Sequence, residues 1–109
     1  MRPRLAGSVV TVAALAVVVG TAHAADPAAG KTKAAMCAAC HGPQGIAVAP
    51  DAPNLAGQPA MYIAEQLRSY KSGKRRHDVM TLMAKPLSDA DIDNLAAWFS
   101  SIKVETRTP

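Results

Sequence analysis

Both cysteines of this 109-residue chain fall within five consecutive positions, Cys37-Ala38-Ala39-Cys40-His41. Two thiols three positions apart on a helical turn can each form a thioether with one vinyl group of a single porphyrin. A histidine directly after the second thiol is then held beneath the iron as its proximal ligand. The pattern is that of covalent haem c attachment. It constrains the fold more than any other feature, because the rest of the chain must wrap, ligate and expose a large planar apolar group. The motif occurs once and the chain has no internal repeat, so one haem c, attached through Cys37 and Cys40, is expected.

The N-terminus carries a leader pattern. Arg2 and Arg4 form a short positive region, Leu5 to Val19 is almost wholly apolar, and Ala22-His23-Ala24 is a small-x-small cleavage signal. The apolar run is shorter than the roughly 20 residues of a membrane-spanning helix. The expected division is a cleaved secretory signal peptide over residues 1–24 and one domain over residues 25–109, exported to the periplasm. The alternative is an uncleaved segment anchoring the chain to the inner membrane; a cleaved leader leaves no stable membrane insertion.

Other chemistries of a C-x-x-C pair fit less well. A thioredoxin-type redox motif wants a βαβ context, and the flanks here are alanine-rich with no strand pattern. A structural zinc site wants four ligands, normally two separated pairs. Only His23, His41 and His77 could complete one; His23 leaves with the leader and His41 is too close to Cys40. A disulfide between near neighbours closes a very short loop and stabilises little.

Size supports the same reading. Loss of the first 24 residues leaves 85, a length at which a core of protein alone is marginal. The mature segment has four aromatic residues, Tyr62, Tyr70, Trp98 and Phe99. A bound porphyrin would supply the missing core volume, so the apo chain should fold poorly. The net charge of +4 falls to +2 without Arg2 and Arg4, and nothing in it points to nucleic acid.

Local patterns place the elements. Asp26-Pro27 reads as a helix N-cap followed by proline at the first helical position, so a helix should run from there into the cysteine motif. Gly30, Ala34 and Cys37 share one face of it, and Gly30 would permit another helix to approach closely. Residues 42–58 carry three glycines and three prolines without helical period and read as a loop. A carbonyl of its segment Pro53-Asn54-Leu55-Ala56-Gly57-Gln58 could accept the His41 Nδ1 proton, leaving Nε2 for iron. Apolar spacing over 59–72 predicts a short amphipathic helix stopped by Gly73. Lys71, Lys74, Arg75 and Arg76 form the most basic stretch, either a solvated turn or a docking patch for an acidic redox partner. Ser88 should cap the last helix, with Asp89 and Asp91 in its first turn. Ile92, Leu95, Phe99 and Ile102 make its apolar stripe, with Trp98 alongside.

A second axial ligand would make an electron-transfer centre, and its absence would leave an open, reactive iron. Thioether sulfur suits haem iron and raises its potential. Met36 lies on the proximal side, and Met61 is expected to fill core space. Met80, Met83 and His77 remain. Both methionines lie in 78–86, read as an irregular segment able to cross the distal face. His77, after Lys74-Arg75-Arg76, is expected to be exposed and without a role.

Four blocks in order carry a family resemblance. They are Cys37-Ala38-Ala39-Cys40-His41-Gly42, Pro53 to Gln58, Tyr70 to Arg75, and Met80 through Leu87-Ser88-Asp89 to Leu95-Ala96-Ala97-Trp98-Phe99. In these the chain resembles the small class I bacterial cytochromes c, in particular monohaem cytochrome c553 and a single domain of dihaem cytochrome c4. The resemblance implies an all-α fold of three to four short helices around one haem c. It assigns the carbonyl of Pro53 to the proximal His41 and the axial sulfur to Met80, with Met83 as packing. It places the first helix across the last near Gly30, Leu95 and Trp98. Trp98 stands where tyrosine is common. The implied function is periplasmic carriage of one electron between a donor dehydrogenase or reductase and a terminal acceptor, without enzymatic activity. An alternative is the haem subunit of a flavin- or molybdenum-dependent dehydrogenase complex; a sensor or small peroxidase would need an open sixth position.

Overall fold

The computed structural model describes residues 1–3, 7–20 and 24–109. Arg4, Leu5, Ala22 and His23, on which much of the leader reading rests, lie outside the described residues. Residues 7–20 form neither helix nor strand, and no helix among the described residues is long and apolar enough to cross a membrane.

Four helical runs and no strand make up the described domain. The first run is continuous in three parts: α1 (Pro27–Lys33), one 3-10 turn (Ala34–Cys37) and α2 (Ala38–His41). Asp26 starts it as expected, its carboxylate accepting from the Ala28 N–H at 2.9 Å, with Pro27 supplying a fixed φ and no orphan donor. The Asp26 N–H in turn donates to Asn94 Oδ1 at 2.8 Å, which joins the chain's first helix to its last. Gly42 ends the run at φ 79°, a conformation glycine adopts without strain.

The second run, α3 (Ala60–Ser72), ends at Gly73 in the left-handed conformation, φ 81°. Ile63, Ala64 and Tyr70 are buried along it and Leu67 packs against the core, the spacing expected of one apolar face. Met61 lies off that stripe and is 86% exposed, so it does not fill the core as expected. The last helix, α5 (Asp89–Ser101), opens with a complete capping box. Ser88 Oγ accepts from the Asp91 N–H and Asp91 Oδ2 accepts from the Ser88 N–H, each at 3.0 Å.

Residues 78–84 differ from expectation. They form a further helix, α4 (Asp78–Ala84), not an irregular strap. Its stretch Val-Met-Thr-Leu-Met has no clear apolar period, and its cap is a histidine, which ranks outside the usual N-cap residues. The helix was therefore invisible to pattern reading.

α5 is the central element. α1 crosses it, α3 packs along it, and α4 rests on α3. The crossing with α1 is made at Gly30, where an added Cβ would lie 1.9 Å from Asn94 O and 2.9 Å from Trp98 Cβ. The core comprises Ala34, Ile63, Ala64, Leu87, Ile92, Leu95, Ala96 and Phe99, with Cys37 and Trp98 packed against it. Ile92 and Leu95 are fully enclosed, each contributing roughly 2 kcal/mol.

Candidate functional site

The site is built from α2 and the loop that follows it. The helical run carries Cys37, Cys40 and His41 past the α1–α5 crossing, so their positions are referred to the rigid centre of the domain. The two cysteines form no disulfide. Cys37 is half-buried against the core, and burial pushes its thiol above the usual 9.0 by penalising the thiolate. Cys40 is exposed.

His41 is 7% exposed. Its Nδ1 lies 2.8 Å from the carbonyl oxygen of Pro53. A carbonyl can only accept, so Nδ1 carries the proton and donates, and Nε2 keeps its lone pair. This contact joins positions 12 apart, and the loop between them is folded to make it. The Val48 and Ala49 N–H groups donate to Cys40 O at 3.0 and 3.1 Å, closing the loop back onto α2. The Leu55 and Ala56 N–H groups donate to Gly45 O at 2.7 and 3.0 Å. Asn54 Oδ1 accepts from the Ala47 N–H at 2.7 Å, pinning the residue next to Pro53. Gly57 N–H donates to Phe99 O at 2.9 Å and ties the far end of the loop to α5. Gly45 is required at its place: an added Cβ would approach Ala56 N to 2.7 Å.

Met80 and Met83 are both half-buried on α4, three positions apart and so neighbours on one side of the helix. The structure joins His41 to Pro53 directly, whereas among the described residues no hydrogen bond links α4 to His41; Met80 is placed on α4, which packs on α3. His77 is exposed as expected but not idle. Its ring Nδ1 accepts from the Val79 and Met80 N–H groups, both at 3.3 Å, which makes it the N-cap of α4.

The basic stretch divides in two. Lys71 Nζ donates to the carbonyl of Leu87, fastening the end of α3 to the turn between α4 and α5. Arg75 stacks over the Tyr70 ring, 4.7 Å from its centroid, and donates to Gln66 Oε1 at 2.7 Å. Among the described residues, Lys74 and Arg76 make no ion pair. Sequence reading missed the internal duties of Asn54, Lys71 and His77. The bonds of Lys71 and Asn54 reach 16 and 7 positions along the chain and have no local signature. The His77 cap is local and was overlooked because histidine is a rare cap.

A groove of about 740 Å³ lies elsewhere, between the outer faces of α3 and α5. Met61, Arg68 and Asp93 line it, and Cys37, Cys40, His41 and Met80 do not.

The donor set suits a covalently held haem. It offers two thiols at the attachment spacing and an enclosed imidazole whose second nitrogen is oriented by a backbone acceptor.

The cytochrome c family model matches residues 27–103. Cytochrome c4 of Pseudomonas aeruginosa is 49% identical over 86 residues, covering 78% of this chain and 43% of that protein. Cytochrome c-554(548) of Halomonas halodenitrificans is 46% identical over 81 residues, covering 72% of this chain and 98% of that protein. A thiosulfate dehydrogenase electron acceptor of Thiomonas intermedia is 47% identical over 77 residues, 70% of this chain and 36% of its own length. Among solved structures, reduced recombinant cytochrome c4 from Pseudomonas stutzeri superposes with a TM-score of 0.69 at 44% identity, over 73% of this chain and 47% of that one. The chain thus spans less than half of the cytochrome c4 relatives and nearly all of the Halomonas protein. The family match takes in every helix from α1 to α5, and the relatives are close to half identical along it: this chain belongs to the cytochrome c family.

Proposed function

We propose that this protein is an electron carrier bearing one haem c, bound through Cys37 and Cys40 and ligated by His41 and Met80. The observation that carries the reading is the 2.8 Å bond from His41 Nδ1 to Pro53 O. It fixes the tautomer and leaves Nε2 as the ligating nitrogen in an enclosed ring. When bound, a haem with two strong axial ligands supplies a reversible one-electron couple. The protein's own residues then do three things. Cys37 and Cys40 hold the group covalently, Pro53 and the loop behind it keep the imidazole from turning, and the α4 segment presents a thioether. Held by both His41 and Met80, the haem iron would offer no open position to a substrate, which favours a carrier over an enzyme.

The leader over residues 1–24 directs the 25–109 domain to the periplasm, where haem c attachment takes place. Docking of an acidic redox partner falls mainly to Lys74 and Arg76, which make no ion pair among the described residues, while Lys71 and Arg75 add charge from fixed positions. The relative named as an electron acceptor of thiosulfate dehydrogenase favours a second reading, in which the chain serves one dehydrogenase as its haem-bearing acceptor. The site is the same in both.

The test is the optical spectrum of the ferric holoprotein, made in a host that attaches haem c. The weak long-wavelength band that reports sulfur–iron ligation should be present, should vanish in Met80→Ala and should survive in Met83→Ala. A wild-type protein without the band would remove the His41/Met80 assignment and move sensing or catalysis to the front.

A further inference from the structure

We infer that His77 is a positioning residue for Met80: it holds the ligand's backbone in place by capping α4, and so sets how readily the sulfur leaves the iron. The inference rests on the reading of Met80 as the axial ligand. His77 Nδ1 accepts two N–H groups, from Val79 and from Met80 itself. The cap is braced from the other side, because the His77 N–H donates to Thr81 Oγ1 at 3.0 Å and the Thr81 N–H donates to His77 O at 2.9 Å. Residues 77, 79, 80 and 81 therefore form one closed hydrogen-bonded unit with the ligand's main chain inside it.

The fold gives this unit unusual weight. α4 is seven residues long, too short to persist on its own helical propensity. Ala84 is its one buried residue, while Val79 and Leu82 are 52% and 67% exposed. With so little burial, the helix depends on its first turn and on the Lys71 bond to Leu87 beyond its end. Segments of this kind open locally without global unfolding. A methionine on such a segment can leave its metal whenever the first turn frays. Loss of the cap should raise the open population by the factor usual for a missing N-cap, about fivefold.

The experiment uses the ferric holoprotein and added imidazole, which enters only when the sulfur has left. The rate of loss of the sulfur–iron band is measured for wild type, His77→Ala, His77→Asn and Ser88→Ala, with urea midpoints for each. The expected result is a rate about fivefold faster in His77→Ala, within about twofold of wild type in His77→Asn, whose side-chain oxygen can cap, and unchanged in Ser88→Ala. Ser88→Ala removes a cap from α5 and so controls for general loosening. A wild-type rate in His77→Ala overturns the inference. An equal acceleration in Ser88→Ala does too, because the effect would then be global. The parallel Met80→Ala spectrum separates the two readings. If the band vanishes there while His77→Ala exchanges like wild type, only the role of His77 falls. If the band survives Met80→Ala, the ligand assignment falls and takes this inference with it.

Discussion

At the scale of single residues, the domain turns on positions where one atom decides the outcome. Gly30 is the clearest. The hydrogen in place of a side chain lets α1 lie directly on the backbone of α5, and a methyl group there would sit 1.9 Å from Asn94 O. The obstacle is main chain, so it cannot rotate away. Gly30→Ala should cost at least about 3 kcal/mol, at the upper end of overpacking, and much of the protein should fail to mature. A shift of less than about 1 kcal/mol in the denaturant midpoint would show that the crossing can slide. His41 and Pro53 illustrate a different dependence. The acceptor is a main-chain carbonyl, so the interaction belongs to the loop's path rather than to proline chemistry. That path is held by Asn54, which accepts from the Ala47 N–H, and by Gly45, where a Cβ would meet Ala56 N.

Secondary-structure elements here are joined by a few well-placed polar bonds. The opening of α5 is the most heavily determined. Asp91 is held below the usual aspartate value of 3.8, first by the Ser88 N–H and then by Lys33, whose ammonium lies 3.2 Å away. The sign follows directly. The folded state keeps this carboxylate ionised to lower pH than the unfolded chain does, so the stabilisation is present above the unfolded value. It is lost as pH falls from about 4 through the folded value. Asp91→Asn should flatten that part of the stability–pH curve while changing neutral stability by about 1 kcal/mol or less, as the group is close to solvent. Urea titrations at a series of acid pH values measure this, and an unchanged acid slope would assign the loss to other carboxylates. The α3–α5 contact is similarly supported by Arg68 to Asp93 at 2.8 Å and Asp89 at 3.7 Å, an exposed cluster of small individual worth.

For the whole molecule the governing fact is a thin core. Among the described residues, alanine supplies five of the eleven buried apolar side chains. A covalently held haem, as proposed above, would add the apolar volume that such a core lacks. The double variant Cys37→Ser/Cys40→Ser, unable to attach haem, should therefore lose its sharp thermal transition and much of its helical circular dichroism. A cooperative transition in that variant would show that the protein core suffices. The local sequence determined a good deal: the attachment motif, the Asp26 and Ser88 caps, the Gly73 stop, the loop over 42–58 and the apolar faces of α3 and α5. Each is written in neighbouring residues, where periodicity and capping act over a turn or two. Only the tertiary structure decided that Met61 faces solvent, that residues 78–84 are a helix, that Lys71 serves Leu87 and that the His77 ring caps α4. All but the cap depend on partners brought close by the packing of α3, α4 and α5, and the cap itself on a residue that seldom does that work. Contacts between distant positions leave no periodic mark in a single chain, because their energy is set by where the helices meet and not by what stands beside them in sequence.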